Sequence, residues 1–303
     1  MAFNSEFFER KVRDERLFQL LPLTLTILAI VSLASIIATL LYESIPFFSR
    51  VDIGEFLFGF EWTPLFRDKK FGVLPLLWGT TVTALVAISV SGVLGLGSAI
   101  YISEYSSPRI RNILKPLMEF LAGIPTVVYG FFAVSYVTPF LRTFIPEVDV
   151  YNAFSAGVVM GIMITPIISS ISEDALYSVP DSLRLSAYSL GARKSQVVVK
   201  IVFRAALPGI VSAYILGFAR AIGETMIVAI AAGSRPVFTL NIFESIQTIT
   251  GYIAQVAMGD APYGTLEYYS LFAVGLYLLA IVLIMNMIGL VISRRFSMRV
   301  SRV

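Results

Sequence analysis

Six long runs of apolar residues dominate the sequence. A helix needs about 20 such residues to cross roughly 30 Å of hydrocarbon, and each run is close to this length or longer. The sequence therefore predicts an all-α membrane protein with six transmembrane helices. The predicted spans lie at approximately 17–42, 73–102, 116–141, 155–172, 207–232 and 269–292.

The composition agrees with this class and excludes others. Hydrophobic residues make up 57% of the chain, charged residues 14%, and the mean hydropathy is +0.82. The chain has no Cys and no His, which excludes thiolate or imidazole metal sites, disulfides and His-based triads. We expect no metal site, no catalytic residue and no nucleic-acid partner. No linker or repeat divides the sequence, which predicts one polytopic domain over residues 1–303.

Lys and Arg are distributed unevenly between the predicted spans. Sixteen fall on the N-terminus, the 103–115 loop, the 173–206 loop and the C-terminal tail, and six fall on the other side. Because cytoplasmic segments carry excess positive charge, both termini are predicted to be cytoplasmic. The outside loops 43–72 and 233–268 contain apolar stretches that could lie on the membrane surface or line an entrance.

The cytoplasmic loop 173–206, which we call the elbow, is predicted to contain two helices joined by a bend. Pro-Asp-Ser at 180–182 is typical of a helix start. Gly191 is typical of a helix stop, because glycine tolerates the left-handed conformation that follows a C-cap.

The first elbow helix carries the candidate docking surface. Leu183, Ala187 and Leu190 recur at i, i+4 and i+7, which predicts one apolar stripe. A face of small residues beside it suits close docking into a groove on another protein. The candidate ATPase-coupling residues are Leu183, Ser186, Ala187, Leu190, Gly191 and Ala192.

The elbow resembles the signature of permease subunits of bacterial ABC importers, E-A-A-x3-G-x9-I-x-L-P. The matching segment begins at 185–187 with Leu-Ser-Ala, and Gly191 and Ile201 match the glycine and isoleucine. Leu185 replaces the acidic residue, and Phe203 and Arg204 replace Leu and Pro. A role tied to the acidic position is therefore not carried over.

Two membrane segments narrow the resemblance to phosphate-specific permeases. EFLAGIPTVVYGFFA at 119–133 resembles their third span, and RAIGETMIVAIAAG at 220–233 resembles their fifth. The resemblance implies a type I importer fold and phosphate transport across a prokaryotic plasma membrane. The implied partners are a homologous second permease subunit, an ATP-binding subunit dimer, an extracytoplasmic phosphate-binding protein and membrane lipid.

Arg220 and Glu224 place opposite charges within the predicted fifth span. At 1.5 Å per residue, Arg220 lies about 20 Å beyond Leu207, near the bilayer centre. A charge there costs on the order of 3 kcal/mol, so both side chains should face the protein interior or a wet cavity. One interpretation is a structural pair at i and i+4 on one helix face. The other is that Arg220 binds an oxyanion and Glu224 keeps this charge from trapping it.

Other polar and helix-breaking residues extend the candidate path. Glu119, near the cytoplasmic end of the third span, and Thr225, in the fifth, complete the candidate substrate contacts. Gly123, Pro125 and Gly130 allow close helix approach or a broken helix in the third span.

The sequence lacks a phosphate-cradling P-loop, G-x-x-x-x-G-K-[ST]. We therefore expect a permease that is not an enzyme, with ATP and Mg²⁺ bound by separate subunits. A molybdate or sulfate importer remains an alternative. A self-sufficient secondary anion transporter is another, for which we would expect paired broken helices in two related halves. The sequence does not predict such breaks, and this alternative gives the elbow no role.

Overall fold

The computed structural model describes residues 3–300, with the side chains of residues 20–289 and of Val291. The terminal basic side chains used to predict orientation lie outside the described side chains. The regular secondary structure of the described part is helical apart from one isolated antiparallel bridge, between Trp62 and Phe71. Its α-helices are α1 (Phe3–Phe48), α2 (Ile53–Phe58), α3 (Leu74–Ile100), α4 (Pro108–Gly123), α5 (Thr126–Phe132), α6 (Thr138–Arg142), α7 (Ala153–Tyr177), α8 (Asp181–Ser189), α9 (Lys194–Val197), α10 (Phe203–Ile222), α11 (Met226–Ala231), α12 (Ile249–Gln255) and α13 (Leu266–Val300).

Short π-helical turns extend or join several of these helices. They are Tyr101–Tyr105, Ala133–Val137, Val198–Val202 and Val256–Asp260. The first prolongs α3, and the third makes α9 and α10 one continuous rod.

In the described residues, five straight helices are long and apolar enough to cross a membrane, and one bent pair brings the number to six. The all-α, six-span prediction is therefore confirmed when the bent pair is counted as one span. The straight spans are Leu20–Phe48, Leu74–Tyr105, Ala153–Tyr177, Lys194–Ile222 and Leu266–Gly289, and the bent pair is Pro108–Gly123 with Thr126–Arg142.

The third span, predicted as one helix over 116–141, is sharply broken. Its two parts meet at a bend of 88°. Ile124 is extended, with φ −69° and ψ 129°, because the residue before a proline is sterically disfavoured in the α conformation. Pro125 also offers no N–H to continue the helix. The broken-helix interpretation of Gly123 and Pro125 is confirmed.

The spans α3, α7 and α10 form the packed centre, where glycines allow close helix contact. A Cβ added at Gly157 of α7 would lie 2.6 Å from Val86, and one at Gly161 would lie 2.7 Å from the Ala87 carbonyl oxygen. Small residues of this kind let membrane helices gain van der Waals contact along their backbones. The α3–α7 pair is therefore interlocked.

The segments before α3 and after α11 fold around Trp62. Its ring packs edge-on against Tyr252 at 4.8 Å and Phe71 at 6.0 Å. In α12, Ile249 is fully buried and its N–H donates to Thr80 Oγ1 at 2.9 Å. Helix α12 is therefore part of the core, and the surface-helix interpretation of this stretch is wrong.

Replacing Gly161 with Ala should destabilise the α3–α7 contact. The added Cβ meets a backbone oxygen that cannot rotate away, and overpacking of this kind costs about 1–3 kcal/mol. The measurement is thermal unfolding of the detergent-solubilised protein. Gly97→Ala on α3 is the matched control, because no atom lies within 4 Å of its Cβ. Equal melting temperatures for the two variants would contradict the interlocked packing.

Candidate functional site

The fifth span, predicted as one helix over 207–232, is two helices separated by a break. The first is continuous over Lys194–Ile222. Gly223 caps it, and α11 begins at Met226. Glycine has low helix propensity and is favoured just after a helix end, which makes this position a natural stop. The break is a feature that the hydropathy pattern missed.

Arg220 and Glu224 form an ion pair across this break. Nη1 of Arg220 lies 2.7 Å from Oε2 of Glu224. Oε1 of Glu224 accepts hydrogen bonds from the N–H groups of Met226 at 3.2 Å and Ile227 at 3.3 Å. These amides begin α11, where they have no partner within the helix. The two charges do pair, but Arg220 ends one helix and Glu224 precedes the next, so they do not share a helix face.

The two members of the pair differ in exposure. The Glu224 side chain is 3% exposed and that of Arg220 is 39% exposed. Both carboxylate oxygens have partners, which offsets the cost of burying the charge. A guanidinium carries five N–H donors, and Arg220 uses Nη1 for Glu224 while Nη2 approaches Met163 Sδ at 3.8 Å. The Arg220 side chain is therefore partly accessible and has further N–H donors.

Thr225 lies in the break itself and is half-buried. Its hydroxyl is 3.5 Å from the Gly223 carbonyl oxygen, at the limit of a hydrogen bond. The hydroxyl is therefore only weakly engaged, beside the Arg220–Glu224 pair.

The break in the third span packs beside the break in the fifth. A Cβ added at Gly130 of α5 would lie 3.0 Å from Ile230 and 3.3 Å from the Met226 carbonyl oxygen. Ile124 packs against the buried cluster that contains Ile222. Irregular backbone at membrane depth is tolerated only inside protein or along a wet cavity. The two broken spans therefore lie side by side.

A cavity of about 530 Å³ opens between α5 and α11. It lies at the C-terminal end of α11, away from the fifth-span break, and both hydroxyl groups and apolar side chains line it. The lining residues are Phe131, Val134, Tyr151, Ala229, Ile230, Gly233 and Ser234.

Glu119 lies elsewhere, on the exposed helix α4, and lines a separate cavity of about 400 Å³. The same cavity contains Glu173 of α7, whose Oε1 is 2.6 Å from Arg111 and 3.0 Å from Lys115. No described contact joins Glu119 to Arg220. Sequence reasoning missed Glu173, although an acid at the cytoplasmic end of one span near a basic loop is the expected signal of such a cluster.

The elbow folds as predicted into a helix, a bend and a second helix. Helix α8 ends before Gly191, which adopts the predicted left-handed conformation with φ +80°. The Ala192 N–H donates to the Ala187 carbonyl at 3.2 Å, and the Gly191 N–H to that of Tyr188 at 2.9 Å. This pair of bonds is a Schellman motif, which satisfies the last helix carbonyls.

The structure divides the residues of the predicted apolar stripe and small-residue face between buried and exposed positions. Ala187 is 5% exposed, whereas Leu183 and Leu190 are 45% and 89% exposed. Leu190 is the C-cap, where helical periodicity no longer fixes the direction of a side chain. Of the four small residues, Ala187 and Ala192 pack inward, whereas Ser186 and Gly191 are exposed.

Comparisons with known proteins agree with the helical architecture. The family model described as binding-protein-dependent transport system inner membrane component matches residues 91–298. The probable ABC transporter permease protein YqgH of Bacillus subtilis (strain 168) is 35% identical over 245 residues, covering 81% of this chain and 78% of the relative. The phosphate transport system permease protein PstC of Xylella fastidiosa (strain 9a5c) is 30% identical over 313 residues, covering 97% and 93%.

A solved structure supports the fold independently. A bacterial ABC transporter involved in the import of the acidic polysaccharide alginate aligns with a TM-score of 0.65. The alignment covers 96% of this chain and 99% of that chain at 16% sequence identity. At this identity the likeness shows the fold alone.

The fifth-span break should be accessible to water, whereas the start of α11 should be packed. Because the chain has no Cys, single-Cys variants can be labelled without background. We expect Thr225→Cys to react with an anionic methanethiosulfonate in membranes. Ile227→Cys, at a fully buried position two residues away, should react far more slowly. Labelling of Thr225→Cys as slow as that of Ile227→Cys would show that the break does not face a wet cavity.

Proposed function

Because the chain belongs to the family of binding-protein-dependent transport system inner membrane components, we propose that it is the permease subunit of an ATP-driven importer of inorganic phosphate. The Xylella fastidiosa relative, similar over 97% of this chain, is a phosphate transport system permease. Phosphate passes from an extracytoplasmic binding protein, through this chain and a homologous second permease, to the cytoplasm.

The observation that carries the proposal is the partly exposed Arg220 side chain paired with a buried carboxylate. A guanidinium presents parallel N–H groups that match two oxygens of a phosphate. Its position at a break, inside a membrane span, is where a conduit needs to attract an anion out of water. Lipid exposure of this charge would be costly, so the exposed part faces the path.

Glu224 gives the conduit an easy release step. A pathway must attract an ion enough to admit it and too little to hold it. With the path empty, Glu224 neutralises Arg220 through the contact at 2.7 Å. Phosphate competes for the same guanidinium, and the return of Glu224 displaces it.

The competition also suits protonated phosphate. While phosphate occupies Arg220, Oε2 of Glu224 loses its partner and can accept a hydrogen bond from a phosphate O–H. Sulfate has no such proton at neutral pH. The two backbone hydrogen bonds to Glu224 hold its carboxylate in place during this exchange, since they involve the other oxygen, Oε1. Thr225, the next residue in the chain, supplies a weakly engaged hydroxyl.

The energy comes from partner subunits. ATP and Mg²⁺ bind to an ATP-binding dimer that docks on the cytoplasmic elbow, since this sequence has no P-loop. Both chain termini lie in the cytoplasm, in keeping with the excess of Lys and Arg on that side. The exposed side chains of α8, including Leu183 and Leu190, form the docking surface.

The secondary-transporter alternative needs a specific comment, because two spans of this chain are broken. The sequence allowed a break in the third span and did not predict the one in the fifth. One break falls in the third span, which is the last span of the first half. The other falls in the fifth span, which is the middle span of the second half. They therefore do not occupy the corresponding positions that two related halves would require.

Replacing Arg220 with Gln should abolish most phosphate uptake, while the importer should still assemble and hydrolyse ATP. Loss of charge-assisted hydrogen bonds to the anion should reduce the uptake rate about tenfold or more. The measurement is ATP-dependent uptake of radiolabelled phosphate into proteoliposomes that contain the complete importer, with sulfate and molybdate compared in parallel. Arg109→Gln, at an exposed position of α4, is the matched control.

Three outcomes would contradict the proposal. Uptake that persists in Arg220→Gln would remove Arg220 from the path. If the wild type takes up sulfate or molybdate in preference to phosphate, then that anion and not phosphate is the substrate. Uptake by this chain alone, without ATP and partners, would favour the secondary transporter.

Replacing Glu224 with Gln should also slow uptake, but by slowing the release of phosphate and not by weakening its attraction. The side chain keeps an oxygen to accept the Met226 and Ile227 amides, but it no longer neutralises Arg220, so phosphate leaves more slowly. We expect a lower maximal rate and weaker discrimination between phosphate and sulfate in the same proteoliposomes. The proposed release role fails if both quantities match those of the wild type.

A further inference from the structure

Arg184 is the most extensively bonded cation in the described part of the chain. It lies on α8 of the elbow, and its side chain is only 15% exposed. Its guanidinium bonds to groups from three different parts of the structure. Neither the elbow signature nor the candidate substrate path includes it.

Glu104 is the first of these partners and lies at the end of the second span. Nη2 of Arg184 is 3.0 Å from Glu104 Oε1, and the Glu104 side chain is 8% exposed. The two residues are 80 positions apart in sequence. A pair with both members nearly buried is little screened by solvent and holds a fixed geometry.

The C-terminal end of the fourth span supplies the second set of partners. Nη2 donates to the Leu176 carbonyl at 2.9 Å, and Nη1 donates to the Val179 carbonyl. The last carbonyls of a helix lack partners within the helix, and a cation there is also favoured by the helix dipole. Asp181 Oδ1, at the start of α8, completes the set at 3.1 Å from Nη1.

A second contact joins the other arm of the elbow to the same point. The Lys194 ammonium of α9 lies 5.0 Å from the ring centre of Tyr105, the residue after Glu104. This is within the range of a cation–π interaction. Both arms of the elbow are thus attached to the Tyr101–Tyr105 turn that ends the second span.

We infer that Arg184 is a positioning residue that fixes the elbow to the cytoplasmic ends of the second and fourth spans, so that all three move as one body when the ATP-binding subunits close. The inference rests on the proposed function, in which the ATP-binding subunits apply force to the elbow. Without the Arg184 bonds, α8 would be held mainly by its chain connections, by the inward packing of Ala187 and by its contact with the second elbow arm. A force applied to α8 would then move the elbow more than the spans.

The first test compares phosphate transported with ATP hydrolysed in proteoliposomes of the complete importer. For Arg184→Gln we expect assembly and ATPase activity to persist and the phosphate-to-ATP ratio to fall about threefold to tenfold. Glu104→Gln should lower the ratio similarly, and the double variant should add little, because both changes remove one link. Arg184→Lys should recover part of the ratio, since an ammonium retains the charge but cannot reach all the carbonyls. Arg204→Gln, an exposed cation in the same loop, should match wild type.

The second test does not depend on substrate. Cys replaces Tyr105 and Lys194 in the Cys-free chain, and a short thiol cross-linker is applied to the assembled importer. A single moving body predicts the same cross-linking yield with and without ATP and vanadate, and uptake that survives cross-linking. Adding Arg184→Gln should make the yield depend on ATP.

These outcomes separate the inference from the proposed function. An unchanged phosphate-to-ATP ratio in Arg184→Gln, or an ATP-dependent yield with Arg184 intact, would overturn the link. If Arg184→Gln prevents assembly, the cross-linking yield with Arg184 intact still tests whether the elbow and the second span move as one body. An ATP-independent yield in an importer that moves no phosphate would support the link and reject phosphate as the substrate.

Discussion

A membrane interior offers no water to unpaired backbone groups, and this constraint governs both broken spans. At the fifth-span break, Glu224 accepts from two amides of α11, and the Thr250 hydroxyl donates to the Glu224 carbonyl at 2.5 Å. Near the third-span break, the Tyr129 hydroxyl donates to the Leu121 carbonyl at 2.8 Å. Side chains thus replace bonds that the helices give up. The breaks are stable parts of the fold because each has its own polar partners.

The ion pair follows from the same constraint and explains why charge is retained at this depth. An apolar residue in place of Glu224 would leave the α11 amides without acceptors, and it would leave Arg220 without its counter-charge. Buried pairs are seldom better for stability than apolar packing of similar volume. Here one carboxylate both completes a helix end and balances a cation that is 39% exposed. The break and the two charges therefore depend on the same carboxylate.

The sequence predicted features that depend on neighbouring residues. The span count, the bend at Gly191 and the possible break at Pro125 all follow from hydropathy or from local backbone preferences. The fifth-span break was missed because a hydropathy window averages over about 20 residues and is insensitive to a three-residue gap. The direction of Leu190 was wrong because periodicity ends at a helix cap. The Arg184–Glu104 and Lys115–Glu173 pairs join distant segments, and a single sequence does not specify which acid meets which base.

Helix α7 connects the elbow to the candidate path. Arg184 binds the Leu176 carbonyl near one end of this helix, and Met163, nearer its middle, approaches Arg220 at 3.8 Å. The two contacts are about 20 Å apart along the helix at 1.5 Å per residue. Because Gly157 and Gly161 interlock α7 with α3, a displacement of the elbow carries both helices together. Met163 moves with α7, so in the proposed mechanism a displacement of the elbow reaches the surroundings of the Arg220 guanidinium.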